Sequence, residues 1–207
     1  MRKLALILAL ALPLSAVTVD RIAAVVDRQV LTVSEVSQMV DLRFFPRVSQ
    51  SEDDHRHDVL DALIAQTLRL RDVERFGAQD IPRDAIEARV VEIRQRFASE
   101  AEFLAAVART ELTLDEVRVL VKRQLQVEAY IQERFAPLVF ISAEDVEQYY
   151  SGPWTQQRRE RNLAVPPLAQ VQDEIRTAAR SAKLQDEIGK WTTQLRARAN
   201  VDVYAWR

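Results

Sequence analysis

Cysteine is absent from the 207 residues of this chain, and glycine occurs only three times, at Gly77, Gly152 and Gly189. Without cysteine there is no disulfide, no thiolate nucleophile and no zinc–thiolate site, so the fold must rest on its core. Phosphate-cradling loops and dinucleotide fingerprints need glycines clustered within a few residues, and three scattered ones cannot build them. The same scarcity disfavours an all-β fold, which needs many tight turns. Histidine is limited to His55 and His57. On a helix, residues two apart stand about 200° apart, so this pair cannot chelate one metal and reads as a solvated pair at a helix start. No block of one charge sign occurs. The 31 acidic residues slightly outnumber the 29 basic ones, which argues against non-specific nucleic-acid binding. Paired carboxylates such as Asp53-Asp54 lie in polar runs and read as solvated. No catalytic residue, metal site or cofactor is expected.

The one long apolar run is at the start. Met1, Arg2 and Lys3 are followed by Leu4–Leu12, then Pro13, and Leu14-Ser15-Ala16 ends in a small residue. Residues 1–16 are therefore expected to be a cleaved signal peptide, and the mature chain to be periplasmic or otherwise exported. The run is shorter than the roughly 20 residues that span a bilayer, so no stable membrane insertion is expected. What remains is long enough for one domain with a substantial core.

The rest of the chain alternates strand and helix signals. Val19–Val26 and Gln29–Leu31 read as short strands about the polar turn Asp27-Arg28. Thr32 with Glu35 forms a capping box, in which each side chain satisfies a free backbone N–H at a helix start. That helix carries Val36, Met39, Val40 and Phe44 and stops before Pro46. A second helix runs to Phe76, closed by Gly77, and Pro82 opens a third. Ser99 with Glu102 and Thr113 with Glu116 are further boxes, the latter starting a helix to about Phe135. Ser142 caps a short helix that Gly152-Pro153 should break, and Thr155–Asn162 reads as a linker. Pro166-Pro167 opens a last long helix, with Trp191 as a core anchor on its apolar stripe. Val201–Tyr204 alternates like a strand. A lone strand cannot satisfy its own backbone, so this one should join the N-terminal strands. The expected fold is mainly α: a helical bundle with a small β-sheet joining the two ends of the chain.

Several stretches resemble SurA-like periplasmic chaperones, a family linked to parvulin-type prolyl isomerases. They are Val19–Val26 with Val30-Leu31-Thr32 and Ser34-Glu35-Val36, then Asp58–Ile64, Ile141–Tyr150 and Pro167–Tyr204. In that family the last two flank a parvulin domain, whereas here only fifteen residues separate Tyr150 from Pro166. A domain needs roughly 50 or more. The resemblance implies a signal peptide at 1–16, a SurA N-terminal-like chaperone domain at 17–150, a linker at 151–165 replacing the parvulin domain, and a helix and strand at 166–207 completing the first domain. It further implies a peptide-binding fold also likened to that of trigger factor, and no isomerase activity.

Adjacent residues on a helix cannot both face one core, so one of Phe44 and Phe45 should stay partly exposed beside Pro46. Tyr149, Tyr150 and Trp154 form a similar aromatic group beside Pro153. With Met39, these are the expected peptide-binding residues, either lining an apolar groove for extended chain or serving as ordinary core. A second location for such a groove is the surface between the first and last helices, near Met39 and Trp191. The expected partners are unfolded or extended polypeptide segments, outer-membrane proteins among them, held without ATP. The competing expectation is a structural or adaptor module that binds one exported partner.

Overall fold

The computed structural model describes residues 20–205. The expected signal segment at 1–16 and the strand start at Val19 lie outside the described residues. β1 (Ile22–Val26) and β2 (Gln29–Thr32) form an antiparallel hairpin, and β3 (Val201–Val203) pairs antiparallel with the other side of β1. The strand order is β2-β1-β3, so the C-terminal strand joins the N-terminal ones as the pattern predicts. Val26 stands opposite Gln29 on one side and Val201 on the other. Asp27 turns the hairpin at a φ of 53°, a left-handed conformation that short polar side chains tolerate. The central position of β1 explains why Ala23, Ala24 and Val26 are fully buried.

α1 (Val33–Asp41) opens on the expected box: the Glu35 N–H donates to Thr32 Oγ1 at 3.2 Å and the Thr32 N–H to the Glu35 carboxylate at 2.8 Å. It ends before Phe44, earlier than predicted. Arg43 takes a φ of 50°; the Phe44 N–H donates to Met39 O and the Arg43 N–H to Val40 O, each at 2.9 Å. This is a Schellman closure, which sets Met39 and Phe44 as an apolar pair across the helix end.

α2 (Glu52–Phe76), α3 (Arg83–Arg94), α4 (Glu100–Arg109) and α5 (Leu114–Arg134) complete the bundle. The Thr113/Glu116 box forms in full. The Ser99/Glu102 box forms only in half: the Glu102 N–H reaches Ser99 Oγ, but the Glu102 carboxylate accepts from the Ala98 N–H at 2.7 Å and from Arg43 at 2.8 Å. The turn after α1 supplies the Arg43 cation to one carboxylate oxygen, and the other oxygen turns to the Ala98 N–H, one residue before the cap.

A short 3₁₀ turn at Ala136–Leu138 leads to α6 (Ala143–Tyr149), capped by Ser142 with Asp145. The predicted break at Gly152-Pro153 is a kink instead. Tyr150–Trp154 forms a π-type turn with Gly152 at φ −96°, ψ −106°, and α7 (Thr155–Glu160) carries the helix into the stretch read as a linker. Glycine and proline bend the backbone here, while Trp154 is anchored in a core beyond them. α8 (Leu168–Arg198) then runs roughly 46 Å at 1.5 Å per residue.

Three apolar clusters hold these elements. The largest joins the sheet to α1–α5. The second gathers Val73, Val127, Tyr130 and Ile131 with Ile188 and Trp191 of α8. The third gathers Val139, Ile141, Val146 and Trp154 with Ile175 and Ala179 of α8. Leu195 packs against the first two and Leu184 against the last two, so α8 ties all three together. Among the described residues no helix is long and apolar enough to cross a membrane.

Candidate peptide-binding groove

A groove of about 320 Å³ opens where β2, the end of α1, α2 and α5 meet. Leu31 of β2, Met39 of α1, Phe44 and Phe45 of the following turn, Leu63 of α2 and Leu120 of α5 supply its apolar surface. Glu35, Arg71, Glu74 and Arg123 lie around it as polar neighbours. The α1 closure at Arg43 turns the chain so that Phe44 points inward, 4% exposed, while Phe45 is half-buried. The two rings meet edge to face at 5.3 Å, so one residue faces the core and its neighbour the groove, as the pattern predicts. Met39 is deeper than expected, at 3% exposure. Met39 and Phe44 therefore form the floor, and Phe45, Leu63 and Leu120 the accessible wall. Among the described residues β2 is an edge strand, and its Gln29 and Leu31 line the same groove. Unpaired main-chain groups on such an edge can pair with any extended segment.

The second expected aromatic group is placed elsewhere and does not join this groove. Trp154 is 7% exposed, and its Nε1–H donates to Glu174 at 3.1 Å. Tyr150 stacks on it at 5.4 Å and donates its hydroxyl to Pro166 O at 2.8 Å. The Arg158 guanidinium covers the Trp154 ring at 4.8 Å. These contacts make Trp154 an anchor between the kinked helix and α8, not an exposed platform. Tyr149 alone lines an open hollow there, with Ile141, Pro153 and Ala182.

Trp191 is a core anchor, as predicted: its Nε1–H donates to Asp72 at 3.0 Å, and Tyr130 and Phe135 lie at 5.5 and 5.1 Å. Met39 and Trp191 belong to different clusters, so the surface foreseen between them is not one apolar site. His55 corrects the solvated-pair expectation. It is buried at 5% exposure, and among the described residues its Nδ1 has no hydrogen-bond partner; His57 is exposed and contacts Asp53 O at 2.8 Å. His55 lines one cleft with Phe45 and Pro46, a neighbourhood that helical spacing cannot reveal. Among the described residues no group of three or more His, Asp or Glu side chains is placed to hold a metal.

Two exposed apolar side chains between α5 and α6 were among those that escaped the sequence reading. Leu138 and Phe140 are each 78% exposed, while Val139 and Ile141 between and after them are buried. Leu138 ends the 3₁₀ turn, and in the extended stretch that follows Val139 and Ile141 are buried while Phe140 between them points out, a period of two that was the available signal.

No family model matches the chain. Among curated proteins it is similar to the chaperone SurA of Pseudomonas putida, 30% identical over 78% of this chain and 40% of that protein. The chaperone SurA of Saccharophagus degradans is 25% identical over 64% of this chain and 32% of that protein. The chaperone SurA of Pseudomonas aeruginosa is 24% identical over 81% and 43%. The chain thus spans about two fifths of the length of the curated relatives it matches. Over that shared stretch, which takes in most of its residues, this chain is SurA-like.

Proposed function

We propose that this chain acts as a periplasmic, ATP-independent chaperone that holds unfolded or extended client segments, outer-membrane proteins among them, without prolyl isomerase activity of its own. The observation that carries this reading is the meeting of an apolar groove with a strand that, among the described residues, stands at the sheet edge: Phe45, Leu63 and Leu120 beside Gln29 and Leu31 of β2. An extended client would pair its backbone with the β2 edge, an interaction indifferent to client sequence. Alternate side chains would enter the groove, where burial favours apolar groups without demanding one shape. The client's free unfolded population falls by mass action, and with it the rate of aggregation. SurA-likeness supports the chaperone class. The segment from Tyr150 to Pro167, helical up to Glu160, is far smaller than the roughly 50 residues of a domain, which supports a body without an inserted isomerase.

The test is light scattering during refolding of several unrelated unfolded proteins in the presence of the purified chain. Suppression of all of them, without ATP, is the expected result. Suppression of a single protein would favour the adaptor alternative, and suppression of none would overturn the chaperone reading.

A further inference from the structure

Beside Phe45 lies a second cleft, of about 440 Å³. Phe45 lines both, so one side chain borders the cleft and the groove. Val40, Phe45 and Pro46 give the cleft an apolar wall, and Arg43, Arg47, Arg96 and His55 complete it. Two of these arginines are already engaged. Arg43 is paired with Glu102 at 2.8 Å, and Arg47 with Glu52 at 3.0 Å and with the carbonyls of Ser49 and Gln50. Arg96 differs. Its Nη1 donates to Arg43 O at 2.5 Å and Phe44 O at 2.9 Å, and among the described residues no carboxylate pairs with it. Those two bonds hold the guanidinium at the cleft while leaving Nε and Nη2 available, an arrangement suited to a carboxylate.

His55 is the independent observation. Its ring lines the cleft, nine-tenths buried, with Nδ1 sealed from solvent and unpartnered. An orphaned buried N–H is rarer and costlier than an orphaned lone pair. The ring proton therefore belongs on Nε2, the ring atom left to donate.

We propose that this cleft takes the free C-terminal carboxylate of an unfolded chain whose last residue is apolar; the inference rests on the peptide-binding reading above. Cation, ring donor and apolar wall lie within one small cleft. A terminal residue carries its carboxylate and an apolar side chain on the same carbon. An internal Asp or Glu brings the charge without the apolar group. Seated there, the chain end would leave the preceding residues to pass Phe45 into the groove.

Fluorescence anisotropy on the full chain tests this, with a short fluorescein-labelled polar peptide ending in Phe, made as the free acid and as the amide. The free acid should bind about tenfold more tightly than the amide. Arg96→Gln and His55→Phe should each bring that ratio close to one. Arg96 is exposed, so its variant remains informative even where the His55 variant fails to fold. Equal binding of acid and amide by the unsubstituted chain would overturn the chain-end site while leaving peptide binding intact. An amidated peptide with an internal Glu that matches the free acid would overturn the choice of the chain end. A preserved ratio in Arg96→Gln would overturn the placement. Absence of binding by every peptide, together with absence of aggregation suppression, would instead be failure of the chaperone reading itself.

Discussion

The N–H of Asp27 donates to the carbonyl of Asn200 at 2.7 Å, and the Asn200 N–H returns to the Asp27 carboxylate at 2.8 Å. These residues are 173 positions apart. The reciprocal bonds clamp the turn of the N-terminal hairpin to the entry of β3, and Arg71 of α2 pairs with the same carboxylate. One aspartate therefore joins the hairpin, α2 and the C-terminal strand.

Removing residues 201–207 should destabilise the whole chain by about 2 kcal/mol or more. Val203 is about half exposed, so the loss comes less from its side chain than from main-chain bonds to β1, at about 0.5–1.5 kcal/mol each, and from uncovering Ala24 and Val26. Urea unfolding of the truncated chain would show a lower midpoint. An unchanged midpoint would contradict the closed sheet.

The Asn200 N–H, followed by Arg71, holds the Asp27 carboxyl below its ordinary value of 3.8. A depressed carboxyl stabilises the fold fully above its unfolded value, and that contribution is lost as pH falls through the folded value. Asp27→Asn keeps an acceptor and a residue tolerant of positive φ but cannot titrate. The stability advantage of the native chain over this variant should be present at pH 7 and shrink below about pH 4. A difference that stays constant down to pH 3, followed by urea unfolding, would contradict the assignment.

Arg43 combines a left-handed backbone with bonds to Arg96 O and Glu102. Alanine at this site loses those bonds and keeps the strain, while glycine loses the bonds and relieves it. Arg43→Gly should therefore be more stable than Arg43→Ala by about 1 kcal/mol, read from thermal or urea midpoints. Equal stabilities would mean that the backbone relaxes out of this conformation.

Phe45 and Trp154, once expected to act alike, should separate. Trp154→Ala should cost about 3–5 kcal/mol of stability, the usual loss for a buried aromatic. Phe45→Ala should cost about 1 kcal/mol, because the ring is half-buried, and weaken client binding several-fold. The pair of variants, compared by unfolding and by peptide anisotropy, would reverse this order only if the groove lay near Trp154.

The parts of the fold readable in advance are those whose cause is local or obligatory. Thr32 with Glu35 and Thr113 with Glu116 announce helix starts within four residues. Val201–Val203 had to pair somewhere, and the N-terminal hairpin offered the edge. The site was readable only in part. That one of Phe44 and Phe45 faces inward follows from their adjacency, but which one depends on the left-handed turn at Arg43, where no glycine marks it. Trp154 is tied to a partner twenty residues away, Glu174, and His55 shares a cleft with the loop that precedes its helix. Such long-range closures leave no periodic trace in the sequence.

The central claim, that clients bind beside β2 and Phe45, is tested most directly by site-specific photo-crosslinking. A benzophenone side chain at Leu63, inside the groove, is compared with one at Phe140, a far more exposed aromatic position outside it. With a denatured client added, crosslinks should concentrate at Leu63 and disappear when unlabelled client competes. Crosslinking at Phe140 with none at Leu63 would contradict the account and place the client surface on the α5–α6 connection.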